Sequence, residues 1–228
     1  VVNQDLHALS NKDYIIVTHP AFYDEAVRLA TFHENKDGLS ALVVTPQQIY
    51  NEFSSGSQDI SAIRDFVKMF YDKAGTNTSE LPQYLLLFGD GSYDNKKRFG
   101  SSNTNFIPTY QSTNSTSITV SYVSDDFYGL LDNHEGAWNN DAVDIGIGRL
   151  PVKNKSEAQT ALNKIFSYTQ TGFLPTADAN SCTAGANTSP FGDWRNTICF
   201  VGDDEDSNTH IDQADELATI VDTTYNSY

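Results

Sequence analysis

Five short apolar runs recur along the chain, and each is followed by a cluster of Gly, Pro or Asp residues. The runs span residues 14–18, 39–45, 84–88, 143–147 and 197–201. Their nearly continuous apolar character is typical of strands that are covered on both faces, as in a parallel sheet. The pattern therefore predicts five buried strands.

Helical periodicity appears between several of these runs. Apolar residues share one face at 3.6-residue spacing in three sets: Ile60, Ile63, Phe66, Val67 and Phe70; Ala158, Ala161, Leu162, Ile165 and Phe166; and Ile211, Ala214, Leu217, Ala218 and Val221. Ser156 and the pair Thr209 and His210 stand near the starts of the second and third helices. Because strands alternate with helices, the sequence predicts an α/β fold with an open, mostly parallel sheet, flanking helices and right-handed crossovers.

Two polar stretches interrupt this alternation. Residues 96–121 are rich in Ser, Thr and Asn, and the β-like run at 118–123 predicts an excursion with an added strand. Residues 172–194 are rich in Gly, Ser, Asn and Pro and predict a linker or loop. We therefore expect a first α/β subdomain at 1–171 and the beginning of a second at 195–228. One strand and one helix cannot bury a sheet alone, so the second subdomain is expected to be truncated.

The net charge limits the partners. The 228 residues include 30 Asp and Glu against 14 Lys and Arg, which gives a formal charge of -16. Proteins bind phosphate backbones and anionic lipids through basic patches, which a chain this acidic is expected to lack. We therefore expect no nucleic-acid partner.

No apolar run reaches about 18 residues, so no membrane span is expected. The chain opens V-V-N-Q-D without a signal-like apolar region, and we expect any targeting segment to have been removed.

Acidic residues collect near predicted strand ends, where α/β folds place their functional groups. None of these ends is a Gly-rich phosphate loop, which argues against a bound nucleotide. Candidate ligands for a hard cation such as calcium are Asp203, Asp204 and Asp206 in one loop, and Asp125, Asp126 and Asp132 in another. An EF-hand-like register that begins at Asp204 is accidental, because Thr209 replaces the Gly of position six. The alternative is that these acids are solvated and cap the following helix.

The chain contains two cysteines with different surroundings. Cys199 lies in the apolar run I-C-F-V, where a small buried hydrophobe is expected, whereas Cys182 lies in the loop N-S-C-T-A-G and is a better thiol candidate. A Cys182–Cys199 disulfide is a third alternative in an oxidising compartment. His19 follows a strand end and is a candidate for lining a cleft. His210 starts a helix beside four acids, which favours a capping or positioning role over that of a base.

Four segments of the chain, taken in order, resemble one protein family. They are Y-L-L-L-F-G-D-G-S-Y-D-N at 84–95, S-D-D-F-Y-G-L-L-D at 124–132, D-I-G-I-G-R-L-P-V at 144–152, and F-V-G-D-D-E-D-S-N-T-H-I-D-Q-A-D-E-L-A at 200–218. Together they resemble the gingipain-type cysteine peptidases of Bacteroidetes. Within that family they are most similar to the PorU-type sortases of the type IX secretion system, and the resemblance covers about residues 14–228.

The resemblance implies a caspase-like α/β catalytic domain of two subdomains, of which this chain contains the first and the opening strand and helix of the second. It also implies a catalytic His in an N-Y-T-G-H-G segment and a later Cys nucleophile, and neither element occurs here. The chain alone is therefore expected to be inactive. Its parent would be a secreted or surface cysteine endopeptidase or sortase that removes carboxy-terminal signal domains from type IX secretion cargo. A non-catalytic binding or interaction domain with the same fold is the alternative.

The same resemblance implies site residues, a cofactor and partners. His210 matches a His that opens a helix in the arginine-specific gingipains, where an Asp three residues earlier lies at the base of the substrate pocket. Ser207 stands at that position here and Asp206 is adjacent, so Asp206 and His210 are the implied substrate contacts. The resemblance further implies structural calcium, a polypeptide substrate, contacts with other type IX secretion components, and an extracytoplasmic location at the bacterial cell surface or outer membrane.

Overall fold

The computed structural model describes residues 3–99, 103–114, 116–136, 141–169, 197–221 and 226–227. Its internal contacts divide the chain into two units, Val1–Asn163 and Lys164–Tyr228. The linker predicted at 172–194 lies outside the described residues, so this linker and the predicted boundary at residue 171 stay predictions.

The first unit is built on a parallel sheet. Its strands and those of a nearby hairpin are β1 (Tyr14–Thr18), β2 (Ala41–Val44), β3 (Tyr84–Phe88), β4 (Tyr110–Gln111), β5 (Val123–Ser124) and β6 (Gly146–Leu150). The sheet has the order β2-β1-β3-β6, with Tyr14 opposite Ala41 and Tyr84, and Tyr84 opposite Gly146. Every residue of β1 is buried, as expected for a strand covered on both faces. The predicted open parallel sheet is confirmed.

Helices cover both faces of this sheet. They are α1 (Tyr23–Asp37), α2 (Pro46–Phe53), α3 (Ile60–Ala74) and α4 (Lys155–Thr169), with short 3-10 helices at Leu6–Ala8, Pro20–Phe22, Thr78–Glu80 and Asp126–Gly129. Ile15 of β1 belongs to the same core cluster as Phe66 of α3, whereas the adjacent Tyr14 meets His33 of α1 with ring centroids 5.3 Å apart. Successive strand residues therefore pack against opposite helical layers.

Local sequence determines where these helices begin and end. Thr45 caps α2 in a reciprocal capping box with Gln48, and Asp59 caps α3 by accepting a hydrogen bond from the Ser61 N–H at 2.8 Å. Each such N-cap stabilises its helix by about 1 kcal/mol. Gly38 ends α1 in the left-handed region, with φ of 72°, which a residue without a Cβ adopts at little cost.

The fourth strand of the sheet begins three residues later than the sequence predicted. The apolar run at 143–147 predicted a strand there, but β6 is Gly146–Leu150. Asp144 remains outside the strand because its carboxylate accepts a hydrogen bond from the Leu131 N–H at 2.7 Å. Its own N–H donates to the carbonyl of Gly129 at 2.8 Å. Long-range hydrogen bonds, rather than local hydrophobicity, therefore set the start of this strand.

The polar excursion is organised by side chains that bond to the main chain. The Asp94 carboxylate accepts hydrogen bonds from the N–H groups of Arg98 and Phe99, both at 2.9 Å, and these bonds hold the pKa of Asp94 below its usual value.

Of the strand predicted at 118–123, only Val123 lies in a strand, because Ile118 is 99 % exposed and the chain turns there. That prediction was wrong for most of its length.

The second unit contains β7 (Thr197–Ile198), α5 (Thr209–Ile220) and β8 (Asn226–Ser227), with a 3-10 helix at Asp206–Asn208. β7 and β8 pair in parallel. The helix predicted from Ile211 is confirmed, whereas the strand predicted at 197–201 is shorter and Val201 is 90 % exposed. Across the described parts of both units, no helix is both long and apolar enough for a membrane crossing.

Candidate functional site

The carboxyl ends of β1, β3 and β6 meet at one edge of the first unit. Hydrogen bonds continue beyond the strands, from the His19 N–H to Phe88 O (3.3 Å), from the Gly89 N–H to Leu150 O (3.0 Å) and from the Asp90 N–H to Val152 O (3.1 Å). In open α/β sheets this edge is where functional groups gather. We refer to His19, Asp90, Arg149 and Lys153 as the sheet-edge cluster.

His19 packs among aromatic rings at this edge. Its ring centroid lies 4.3 Å from that of Phe106 and 5.7 Å from that of Phe22. Its Nδ1 accepts a hydrogen bond from the Ala21 N–H at 3.2 Å, which places the proton of the neutral ring on Nε2. Burial, and then the positive charge of Lys97, lower the pKa of His19. The ring is therefore neutral at pH 7 and caps the 3-10 turn after β1.

Asp90 connects the end of β3 to the polar excursion. Its carboxylate accepts a hydrogen bond from the Thr104 hydroxyl and lies 3.8 Å from Lys153 Nζ. The preceding Gly89 has φ of 153°, and a Cβ on it would lie 3.0 Å from the Cβ of Phe106. A side chain at this position would therefore push the excursion away from the sheet edge.

Arg149 holds the elements of this edge together. Its Nε and Nη2 donate to the two carboxylate oxygens of Asp125, each at 2.7 Å. The remaining donors reach the carbonyls of Gly89 and Ile107 at 2.9 Å and of Pro108 at 3.3 Å. All five N–H groups of the guanidinium are thereby used. Only arginine has a planar fork that can make this set of bonds at once.

This arrangement bears on the predicted calcium ligands of the first unit. Both Asp125 oxygens face the Arg149 guanidinium, which takes the place that a cation would need. Asp126 is exposed, and the Asp132 carboxylate accepts a hydrogen bond from the Tyr71 hydroxyl at 2.9 Å. Within the described residues, no three His, Cys, Asp or Glu side chains converge as metal ligands would. Asp125 is therefore engaged by Arg149 rather than free for a cation, and calcium binding stays a prediction.

The predicted substrate contacts of the second unit lie at the start of α5. Asp206, Ser207 and Asn208 all have left-handed φ angles of 52°, 60° and 66°. Such conformations cost energy in residues other than glycine and concentrate at functional loops. His210 Nε2 lies 3.7 Å from Asp206 Oδ2, and both side chains are exposed. The structure thus brings the two predicted contact residues together, whereas the also exposed Asp203 and Asp204 do not join them.

The cysteines do not provide a catalytic thiol in the described part of the chain. Cys199 is exposed, so the expectation that it is a buried hydrophobe was wrong. Its thiol is 3.9 Å from the Phe200 carbonyl, and no described histidine forms a hydrogen bond with it. Cys182 lies outside the described residues, so the disulfide with Cys199 stays a prediction.

Sequence reasoning did not single out Arg149. The sequence feature that could have revealed it is a charged residue inside an otherwise apolar strand segment, G-I-G-R-L. A charged side chain inside a covered strand needs a neutralising partner, so this arginine indicated an acidic residue that the fold brings close. Its partner Asp125 was predicted as a calcium ligand or as a solvated acid near a helix start, and not as the partner of an arginine.

The first unit, with a parallel sheet between helical layers and the sheet-edge cluster at the carboxyl ends of its strands, is an open α/β domain. The model of peptidase family C25 matches residues 7–228. This chain belongs to peptidase family C25, and it forms a cysteine-peptidase-related domain.

Solved structures support this assignment. The crystal structure of dimeric latent PorU from Porphyromonas gingivalis is 42% identical over 74% of this chain, with a TM-score of 0.65. The crystal structure of the Arg specific cysteine proteinase gingipain R is 18% identical over 95% of this chain, with a TM-score of 0.54, and shows the fold alone. This chain spans 16% of the PorU chain and 40% of the gingipain R chain. No curated protein matches the sequence.

Proposed function

We propose that this chain forms the first part of the catalytic region of a secreted or surface cysteine endopeptidase. In this role the protein removes carboxy-terminal signal domains from cargo of the type IX secretion system. The family match over residues 7–228 carries the proposal. The 42% identity to PorU favours a PorU-like role over that of an arginine-specific protease.

The chemistry of this role needs groups beyond those that the described residues supply. Cleavage by a cysteine peptidase requires a thiolate, a histidine that transfers protons and donors that stabilise the oxyanion. Cys199 is the cysteine of the described residues, and it has no histidine partner there. We therefore propose that the 228-residue chain is inactive by itself and provides scaffold and substrate contacts.

The loop that precedes α5 supplies the proposed substrate contacts. The Asp206 carboxylate is exposed and lies just before the start of α5, where it can attract a basic side chain of a polypeptide. His210 Nε2 lies 3.7 Å from Asp206 Oδ2, so both side chains are available to the same substrate segment. Asp206 has a left-handed φ of 52°, a conformation that concentrates at functional loops, and this supports a binding role.

The proposed role also places the protein outside the cytoplasm. A processing enzyme for secreted cargo works at the cell surface or outer membrane, with a polypeptide substrate and other secretion components as partners. The strongly acidic composition is compatible with such partners and argues against nucleic acid.

Cleavage of a purified cargo protein tests the proposal. The protein encoded by the gene, incubated with cargo that carries its signal domain, should release that domain, and mass spectrometry should locate one cleavage site. Iodoacetamide should abolish the cleavage, because it alkylates the thiolate. The 228-residue chain alone should release nothing. Absence of cleavage by the full gene product would overturn the proposal.

Substitution of Asp206 tests the substrate contact in the same assay. Asp206→Asn should raise KM for the cargo several-fold with little change in kcat, since it removes uniform binding rather than chemistry. Asp204→Asn is the matched control, because it removes an equal charge two residues away without touching His210. Equal effects of the two substitutions would contradict a local contact.

A non-catalytic binding or interaction domain is the second candidate. The observation that favours it is the missing thiol–histidine pair in the described residues. In that case the full gene product would bind cargo but leave its mass unchanged.

A further inference from the structure

A cavity of about 550 Å³ opens beside the hairpin β4–β5 of the first unit. Its lining includes Tyr110, Tyr122, Ser124, Asp126, Phe127 and Asp141. We call it the hairpin cavity. Its volume lies in the range of pockets that enclose small ligands or side chains. Part of the lining comes from the S-D-D-F-Y-G segment, to which the proposed function assigns no role.

Aromatic rings form one wall of the hairpin cavity. Tyr110 stacks on Phe127 with ring centroids 5.0 Å apart, and Tyr122 lies 6.3 Å from Tyr110. Tyr122 is 50 % exposed, so part of its ring surface is accessible from solvent. Arg64 lies 5.7 Å from the centroid of Phe127, and this aromatic group thus already accommodates one cation within the protein.

Carboxylates accompany this aromatic wall. Asp126 is exposed, and its carboxylate makes no hydrogen bond or ion pair with any other described residue. The adjacent Asp125 differs, because Arg149 neutralises it. Asp141 also lines the cavity, and one of its oxygens accepts a hydrogen bond from the Gly136 N–H at 2.9 Å. The hairpin cavity therefore combines aromatic surface with the negative charge of Asp126, which no described residue pairs.

An exposed apolar side chain adds to this lining. Val143 lines the cavity and is 50 % exposed. It offers contact surface for the aliphatic stem of a long side chain, while the aromatic faces and carboxylates attract its charged end.

We propose that the hairpin cavity binds the side chain of an arginine or lysine in a polypeptide segment. Tyr122 contacts the cationic group through its ring, and Asp126 supplies the opposing charge. The aromatic wall favours arginine, because a guanidinium stacks on an aromatic face as well as being attracted to it. The acidic chain as a whole, with a net charge of -16, draws such segments toward its surface. This inference stands on the first unit alone and does not depend on the proposed peptidase role.

Binding of a defined peptide to the 228-residue chain tests the proposal. The probe is a fluorescein-labelled Gly-Ser-Arg-Ser-Gly peptide, and its analogue carries citrulline, which has the shape of arginine without the charge. Fluorescence anisotropy should show that the arginine peptide binds at least about fivefold more tightly, as expected for one cation–π contact and one carboxylate. Equal affinities of the two peptides, or no saturable binding at millimolar chain, would overturn the proposal.

Variants locate the binding site. Asp126→Asn and Tyr122→Leu should each remove most of the preference for arginine over citrulline, and circular dichroism should show unchanged folding because both residues are exposed. Asp204→Asn, which removes an equal charge from the second unit, should keep the preference. If Asp204→Asn lowers it as much as Asp126→Asn does, the attraction is a property of the net charge and the hairpin cavity is not the site.

Discussion

Replacing Arg149 by methionine removes five N–H donors while nearly keeping the length of the side chain. In the native protein these donors bind both oxygens of Asp125 and three main-chain carbonyls. The side chains of Arg149 and Asp125 are only 12% and 24% exposed. The variant therefore leaves a partly buried carboxylate without its counter-charge and three carbonyls without a donor.

The structure sets the expected magnitude of this loss. Removing one partner of a fully buried ion pair costs about 3–5 kcal/mol, whereas an exposed pair contributes less than about 1 kcal/mol. Since both Arg149 and Asp125 keep some exposure, we expect a loss of about 3 kcal/mol in the free energy of unfolding. With a slope of about 2 kcal/mol per molar urea, the unfolding midpoint falls by about 1.5 M.

Urea titration followed by far-UV circular dichroism measures this loss. Arg98→Met is the matched control, because Arg98 is exposed and its substitution should cost less than about 0.5 kcal/mol. A double-mutant cycle of Arg149→Met with Asp125→Asn should give a coupling of about 2 kcal/mol. The reasoning is refuted if Arg149→Met moves the midpoint no further than Arg98→Met does, or if the coupling is below about 0.5 kcal/mol.

Two further predictions concern the same edge of the sheet. Because burial lowers the pKa of His19, the unfolded chain binds a proton there more readily, and this residue costs stability as the pH falls below about 6.5. The His19→Asn variant keeps a hydrogen-bond acceptor for the Ala21 N–H, but its side chain does not titrate. Between pH 7 and pH 5 the Tm of this variant should therefore fall less than that of the native chain. An equal fall in Tm would contradict this prediction. A Cβ on Gly91 would lie 2.6 Å from Thr109 Cγ2, so Gly91→Ala should cost about 1–2 kcal/mol in urea titration. Gly148→Ala is the control, since its nearest contact is 3.9 Å, and an equal cost at both glycines would show that the close approach is unimportant.

Local pattern predicted those parts of the fold whose burial is continuous. β1 and β3 have apolar residues at nearly every position, and the predicted bounds match the structure. Helix α3 has a wide apolar face and was also predicted. Helix α1 was not, because its buried face includes Glu25 and the small Ala26 and Ala30 among otherwise polar residues. Tertiary packing therefore stabilises α1 where its own periodicity is weak.

The candidate site residues also divide into those that local sequence could predict and those that only the folded chain reveals. Asp206 and His210 are only four residues apart on the chain, so their proximity needs no long-range contact and is seen in the structure. Arg149 and Asp125 are separated by 24 residues, and only the folded excursion brings them together. The exposure of Cys199 could not be predicted either, because an apolar run indicates a strand but does not show whether anything covers it.

The mass of secreted cargo in cells that lack this gene tests the central claim most directly. If the protein is the proposed endopeptidase, cargo from the deletion strain should retain its carboxy-terminal signal domain, and the native gene should restore processing. A gene with Cys182→Ser and Cys199→Ser should restore it as well, because neither cysteine is the proposed nucleophile. Cargo of the fully processed mass in the deletion strain would contradict the account.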